Sequence, residues 1–88
     1  VNAKNAKTLL AVFRIPTSGN IRWEDIEALF RAAGASVSEG AGSRVVVRLA
    51  GMRGVFHRPH PQAQACKGAV ESARRLLKQA GVEPEDER

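Results

Sequence analysis

Apolar positions along the chain fall into three stretches of helical spacing, with a region of alternation between the second and the third. Ala6, Leu9, Leu10 and Phe13 recur at intervals of three and four, which predicts a short helix near residues 4–14. Pro16-Thr17-Ser18-Gly19-Asn20 then breaks the chain as a turn. Trp23, Ile26, Phe30 and Ala33 form the stripe of a second helix, with Leu29 beside it. Glu24 and Asp25 fall in its first turn, where negative charge complements the helix dipole, and Gly34 suits a left-handed C-terminal position. The third helix runs from about Lys67 to Ala80, with Ala69, Val70, Ala73, Leu76, Leu77 and Ala80 facing inward. It closes in Ala80-Gly81-Val82, much as the second closes in Ala33-Gly34-Ala35.

The alternating region predicts three short strands, centred on Val37, on Ser43–Leu49 and on Met52–Arg58. Ala50-Gly51 reads as a two-residue hairpin connection, and that length fixes a register. Leu49 then faces Met52, Val47 faces Gly54 and Val45 faces Phe56 on one apolar side. On the other side Arg48 faces Arg53, Val46 faces Val55 and Arg44 faces His57. The apolar side would pack on the helices and leave Arg44, Arg48, Arg53 and His57 displayed. Like charges held directly opposite each other cost stability unless an anion lies between them. Phe13, Trp23, Phe30 and Phe56 occupy apolar-stripe positions, which assigns them to the core rather than to stacking on bases.

Charge sharpens this picture. The chain has 88 residues, 14 Lys plus Arg against nine Asp plus Glu, and a formal net charge of +5. The excess is concentrated in residues 40–82, where eight bases face the single acid Glu71, while residues 83–88 form an acidic tail. Ten of the 14 bases are arginines, whose planar fork matches phosphate, so the expected partner is a polyanion. A chain this short buries one core and spares little of it for a cofactor cavity, which argues against a small-molecule cofactor. No apolar run approaches the ~18 residues of a membrane span, so no membrane role is expected. One cysteine, Cys66, leaves no internal disulfide, and a reducing cytoplasm is the expected compartment.

His57-Arg58-Pro59-His60-Pro61 carries the candidate chemistry. The two histidines lack the further ligands that a zinc site needs, so no metal is expected there. A neutral imidazole can instead deprotonate a ribose 2′-hydroxyl while Arg or Lys stabilises the charge that develops on phosphate. The candidate catalytic residues are therefore His57, Arg44 and His60. The candidate RNA contacts are Arg48, Arg53, Arg58, Lys67 and Arg74, with Lys67 opening the last helix, where an anion is favoured. Histidines that merely fill or cap remain the alternative.

The order of these features resembles the HicA family of bacterial toxin ribonucleases. A helix ending in Ala-Gly precedes a strand, Gly42-Ser43-Arg44, a hairpin and His57-Arg58-Pro59-His60. Lys67-Gly68 then opens a helix that ends Lys78-Gln79-Ala80-Gly81-Val82. The resemblance covers residues 18–82 and leaves 1–17 as an N-terminal extension and 83–88 as the tail. It implies an α+β fold of order α-β-β-β-α, like a double-stranded RNA-binding domain. In that fold two helices cover one face of a three-stranded antiparallel sheet. It also implies cleavage of mRNA without a metal, and a HicB-type antitoxin that covers the active face. The family carries its catalytic histidine directly after the Gly-Ser, where this chain has Arg44, a group that stays protonated. Either the base has moved across the hairpin to His57, or the domain holds RNA or an antitoxin without cutting. A domain that binds only an acidic protein is a third reading.

Overall fold

The computed structural model describes residues 2–84. Its elements are α1 (Ala3–Val12), α2 (Trp23–Ala32), β1 (Ser36–Glu39), β2 (Arg44–Leu49), β3 (Met52–His57) and α3 (Lys67–Gln79). The strands form one antiparallel sheet in the order β1-β2-β3. The hairpin pairs Leu49 with Met52, Val47 with Gly54, Val45 with Phe56, Arg48 with Arg53, Val46 with Val55 and Arg44 with His57, as its two-residue turn requires. Ala50 and Gly51 both adopt positive φ, 53° and 80°, the left-handed pair that matches strand twist.

Helix ends follow their local chemistry. The side chain of Asn2 caps α1 by accepting from the Asn5 N–H at 2.8 Å. Both α2 and α3 close on a left-handed glycine, Gly34 and Gly81. In each case the next N–H reaches back five residues, Ala35 to the Phe30 carbonyl and Val82 to the Leu77 carbonyl. Such closures satisfy carbonyls that would otherwise lack a partner.

Two helices cover the inner face of the sheet, α2 against β1 and α3 against β3. The core between them is built on Ile26, Leu29, Phe30, Val45, Val47, Val70 and Leu77, all fully buried. Phe56 lies between Trp23 and Phe30, with ring centroids 5.4 and 5.6 Å away. Gly54 lets α3 approach the sheet, since a Cβ there would stand 3.1 Å from both Leu76 Cδ2 and Phe56 Cε1. The assignment of Trp23, Phe30 and Phe56 to the core holds, and Phe13 packs against it half-buried.

α1 packs on α2 and α3 through Thr8, Leu9 and Val12. The expected stripe of Ala6, Leu9, Leu10 and Phe13 is therefore turned: Ala6 is exposed and Leu10 is 57% exposed. Apolar residues surround most of this helix, so spacing alone leaves its buried side open and packing against the other helices decides it. Arg74 of α3 fixes the end of α1, donating to the Val12 carbonyl at 2.9 Å and to Thr17 Oγ1 at 2.8 Å. Among the described residues no helix is long and apolar enough to cross a membrane.

Candidate nucleic-acid interface and cleft

Among the described residues no helix lies over the outer face of the sheet, which presents side chains in rungs. One rung runs Ser36, Arg48, Arg53; the next runs Ser38, Val46, Val55; then Arg44 stands opposite His57. Val55 is 45% exposed, so the face has an apolar centre framed by cations. Among the described residues Arg44, Arg48 and Arg53 form no ion pair. Three exposed guanidiniums on one face, unpaired, concentrate positive potential there.

Beyond His57 the chain leaves the sheet and passes the N-terminus of α2 before it enters α3. Arg58 extends the ladder by one bond, from its N–H to the Ser43 carbonyl at 2.9 Å. Residues 63–65 then pair with residues 21–23: the Trp23 N–H donates to the Ala63 carbonyl at 2.9 Å, and the Ala65 N–H donates to the Ile21 carbonyl at 2.8 Å. Between this returning segment and Gly19-Asn20 lies an open cleft of about 620 Å³. His57 and His60 both line it, with Gln62, Gln64 and the exposed Cys66. His57 thus belongs both to the cationic sheet face and to the cleft. Lys67 sits at the rim, its side chain running along Gly19, where a Cβ would lie 3.3 Å from Lys67 Cε.

Two of the expected RNA contacts are already engaged within the protein. Arg74 is spent on the end of α1, outside the cleft, also reaching the Arg14 carbonyl at 3.4 Å. Arg58 donates to Glu39 at 3.0 Å and to both oxygens of Glu27 at 3.2 and 3.3 Å, tying the segment after β3 to α2 and β1. Glu27 also accepts from Trp23 Nε1 at 3.0 Å and from Arg31 at 3.1 Å. Burial alone would push the Glu27 carboxyl up, but Arg31, Arg58 and Trp23 together pull it below its ordinary value. Burial likewise opposes the charge on Arg58, and Glu27 and Glu39 outweigh it, so its guanidinium is held protonated more firmly than usual. Sequence alone offered no sign of this clamp, because its members lie 19 and 31 residues apart.

Arg58→Ala is expected to lower stability by about 1–2 kcal/mol, the modest end for charge-assisted bonds because the guanidinium is partly exposed. The depressed Glu27 carboxyl adds stability that is complete above its unfolded pKa and is lost as pH falls through the folded one. Urea titrations from about pH 7 down to about pH 3 check this. Wild type should lose stability across the acid window, and Glu27→Gln, neutral throughout, should lose less.

The structure therefore gathers His57, His60, Arg44 and Lys67 around one sheet edge and cleft, and adds Asn20, Gln62 and Gln64, which periodicity did not reveal. Gln64 pairs with Arg22 as an isolated bridge, and pairings of that kind leave no local pattern in the sequence. Comparison with protein families finds that residues 23–82 match the HicA toxin of bacterial toxin–antitoxin systems. No curated protein and no solved structure matches the chain. The match starts at the first residue of α2 and runs through the glycine closure of α3, taking in the whole sheet and most of the cleft. With most of the chain and every element of the α-β-β-β-α core inside it, the chain belongs to the HicA family of bacterial toxins.

Proposed function

We propose that this HicA toxin is an endoribonuclease that cleaves mRNA without a metal, with His57 as the general base. The observation that carries the proposal is the position of His57, opposite Arg44 on the ladder and on the wall of the cleft that also holds His60. A neutral His57 imidazole takes the proton of a ribose 2′-hydroxyl, and the 2′ oxygen attacks the adjacent phosphorus. The bond from phosphorus to the 5′ oxygen breaks, leaving a 2′,3′-cyclic phosphate on one fragment. The departing 5′ oxygen takes a proton from His60. Arg44, beside the reacting phosphate, stabilises the charge that builds on its free oxygens. Arg48 and Arg53 hold the strand across the sheet face, and Lys67 takes a further phosphate at the start of α3.

An RNA carrying a single 2′-O-methyl group at the cut site tests the chemistry. Cleavage at that site should stop while neighbouring sites are still cut; continued cleavage there would rule out the 2′-hydroxyl as nucleophile. Binding has its own signature. Arg48→Ala and Arg53→Ala are each expected to weaken RNA binding and to reduce the slope of log affinity against log salt by roughly 0.7 for each phosphate no longer neutralised.

Arg44 supports a second reading, since it occupies the position after Gly42-Ser43 where resemblance places the family's histidine. In that reading the domain holds RNA or a HicB-type antitoxin and does not cut. The same sheet face would serve the antitoxin, with Val46 and Val55 as its apolar centre and acidic partner groups meeting Arg44, Arg48 and Arg53.

A further inference from the structure

We infer that the cleft beside His57 and His60 holds a nucleobase, adenine, read by the side-chain amides of Asn20, Gln62 and Gln64. The inference rests on the ribonuclease reading and extends it to substrate preference. The cleft's volume of about 620 Å³ is within the range of sites that take small organic groups. Three carboxamides line it, and each offers a donor and an acceptor side by side. That pattern is complementary to the amino group and ring nitrogen on one edge of adenine, which Asn and Gln engage with two hydrogen bonds. Bases of single-stranded RNA are free to present such edges.

Other features of the cleft agree. Among the described residues its lining includes no carboxylate, so nothing there repels a nucleotide. The partly exposed Pro59 supplies apolar surface for the face of a base. The backbone at two of the amides is held: Gln64 is bridged to Arg22, flanked by the Ala63 and Ala65 bonds, and the Asn20 N–H donates to Ser18 Oγ at 3.1 Å. The three amide side chains have no hydrogen-bond partner among the described residues, which leaves both ends of each available to a ligand. Asn20 precedes the family match, so the N-terminal segment of this chain completes one wall of the cleft.

The test has two arms. In the first, wild type, Asn20→Ala and Gln64→Glu cleave a random-sequence RNA pool and the cut ends are sequenced. Wild type should favour adenine beside the cut by roughly tenfold or more, and each variant should bring the four bases closer to parity. In the second arm, binding of eight-nucleotide A, C, G and U homopolymers is measured for the same proteins; the A oligomer should bind tightest to wild type, and both variants should lose that margin. Cleavage without adenine preference, or a preference that survives both variants, would overturn the subsite and leave the ribonuclease reading standing. Absence of cleavage with an amide-dependent preference for the A oligomer would support the subsite and defeat the ribonuclease reading. Neither cleavage nor preferential binding would overturn both. All three amides are exposed, so thermal melting of the variants at the wild-type temperature separates lost recognition from lost folding.

Discussion

His57→Ala is expected to reduce RNA cleavage by about 10²–10⁴-fold, the usual contribution of a positioned general base. RNA affinity should change little, because the cationic groups on the sheet face stay in place. The side chain is exposed at the end of β3, so its removal opens no cavity and fold stability should change by less than about 0.5 kcal/mol. Fold, binding and chemistry are thus separable at this residue. Arg44→Ala should behave differently, losing both affinity and rate, since in the proposed mechanism one guanidinium serves phosphate in the ground state and in the transition state. Measuring single-turnover rates and affinities on one RNA substrate for both variants checks the division of roles. Full activity in His57→Ala together with lost activity in His60→Ala would move the base to His60.

Phe56→Ala is expected to have the largest effect on stability, about 3–5 kcal/mol. Its ring is 4% exposed and fills the space between Trp23 and Phe30, joining α2 to β3. Losing it removes a large buried area and two aromatic neighbours, and leaves a cavity that rings fixed by their own packing close only in part. A domain of this size shifts its melting temperature by roughly 4–8 °C per kcal/mol, so the midpoint should fall by at least about 12 °C. Calorimetry of wild type and variant is the check. A change below about 1 kcal/mol would contradict a core centred on these three rings. Because Phe56 immediately precedes His57, cleavage by the variant should fall further than the folded fraction accounts for.

The hairpin shows how far sequence could carry the fold. A two-residue connection allows one register, and the alternation around it separates an apolar face from one bearing Arg44, Arg48, Arg53 and His57, so every pair of the hairpin was legible. The glycine closures of α2 and α3 were legible for a similar reason, since Ala-Gly after an amphipathic stripe has one common solution. α1 was legible as a helix but not in its orientation, because its composition is apolar on most sides and tertiary packing chose Leu9 and Val12 over Leu10.

The site was legible in part. Residue type and ladder position picked out His57, His60 and the exposed arginines, but charge alone could not distinguish an arginine facing a ligand from one holding the fold. Arg58, which also lines the cleft, and Arg74 both hold the fold, and their partners, Glu27 and Glu39 for one and the end of α1 for the other, are distant in sequence. The cleft itself arises where residues 21–23 meet 63–65, a pairing without periodicity to announce it.

The most direct measurement is cleavage of a long single-stranded RNA in excess EDTA by the wild-type protein and by His57→Ala, with analysis of the new ends. Cleavage by wild type alone, leaving 2′,3′-cyclic phosphate, is the predicted result. Equal cleavage by both proteins, or no cleavage by either while RNA binding persists, would contradict the assignment of His57 as the base of a metal-independent ribonuclease.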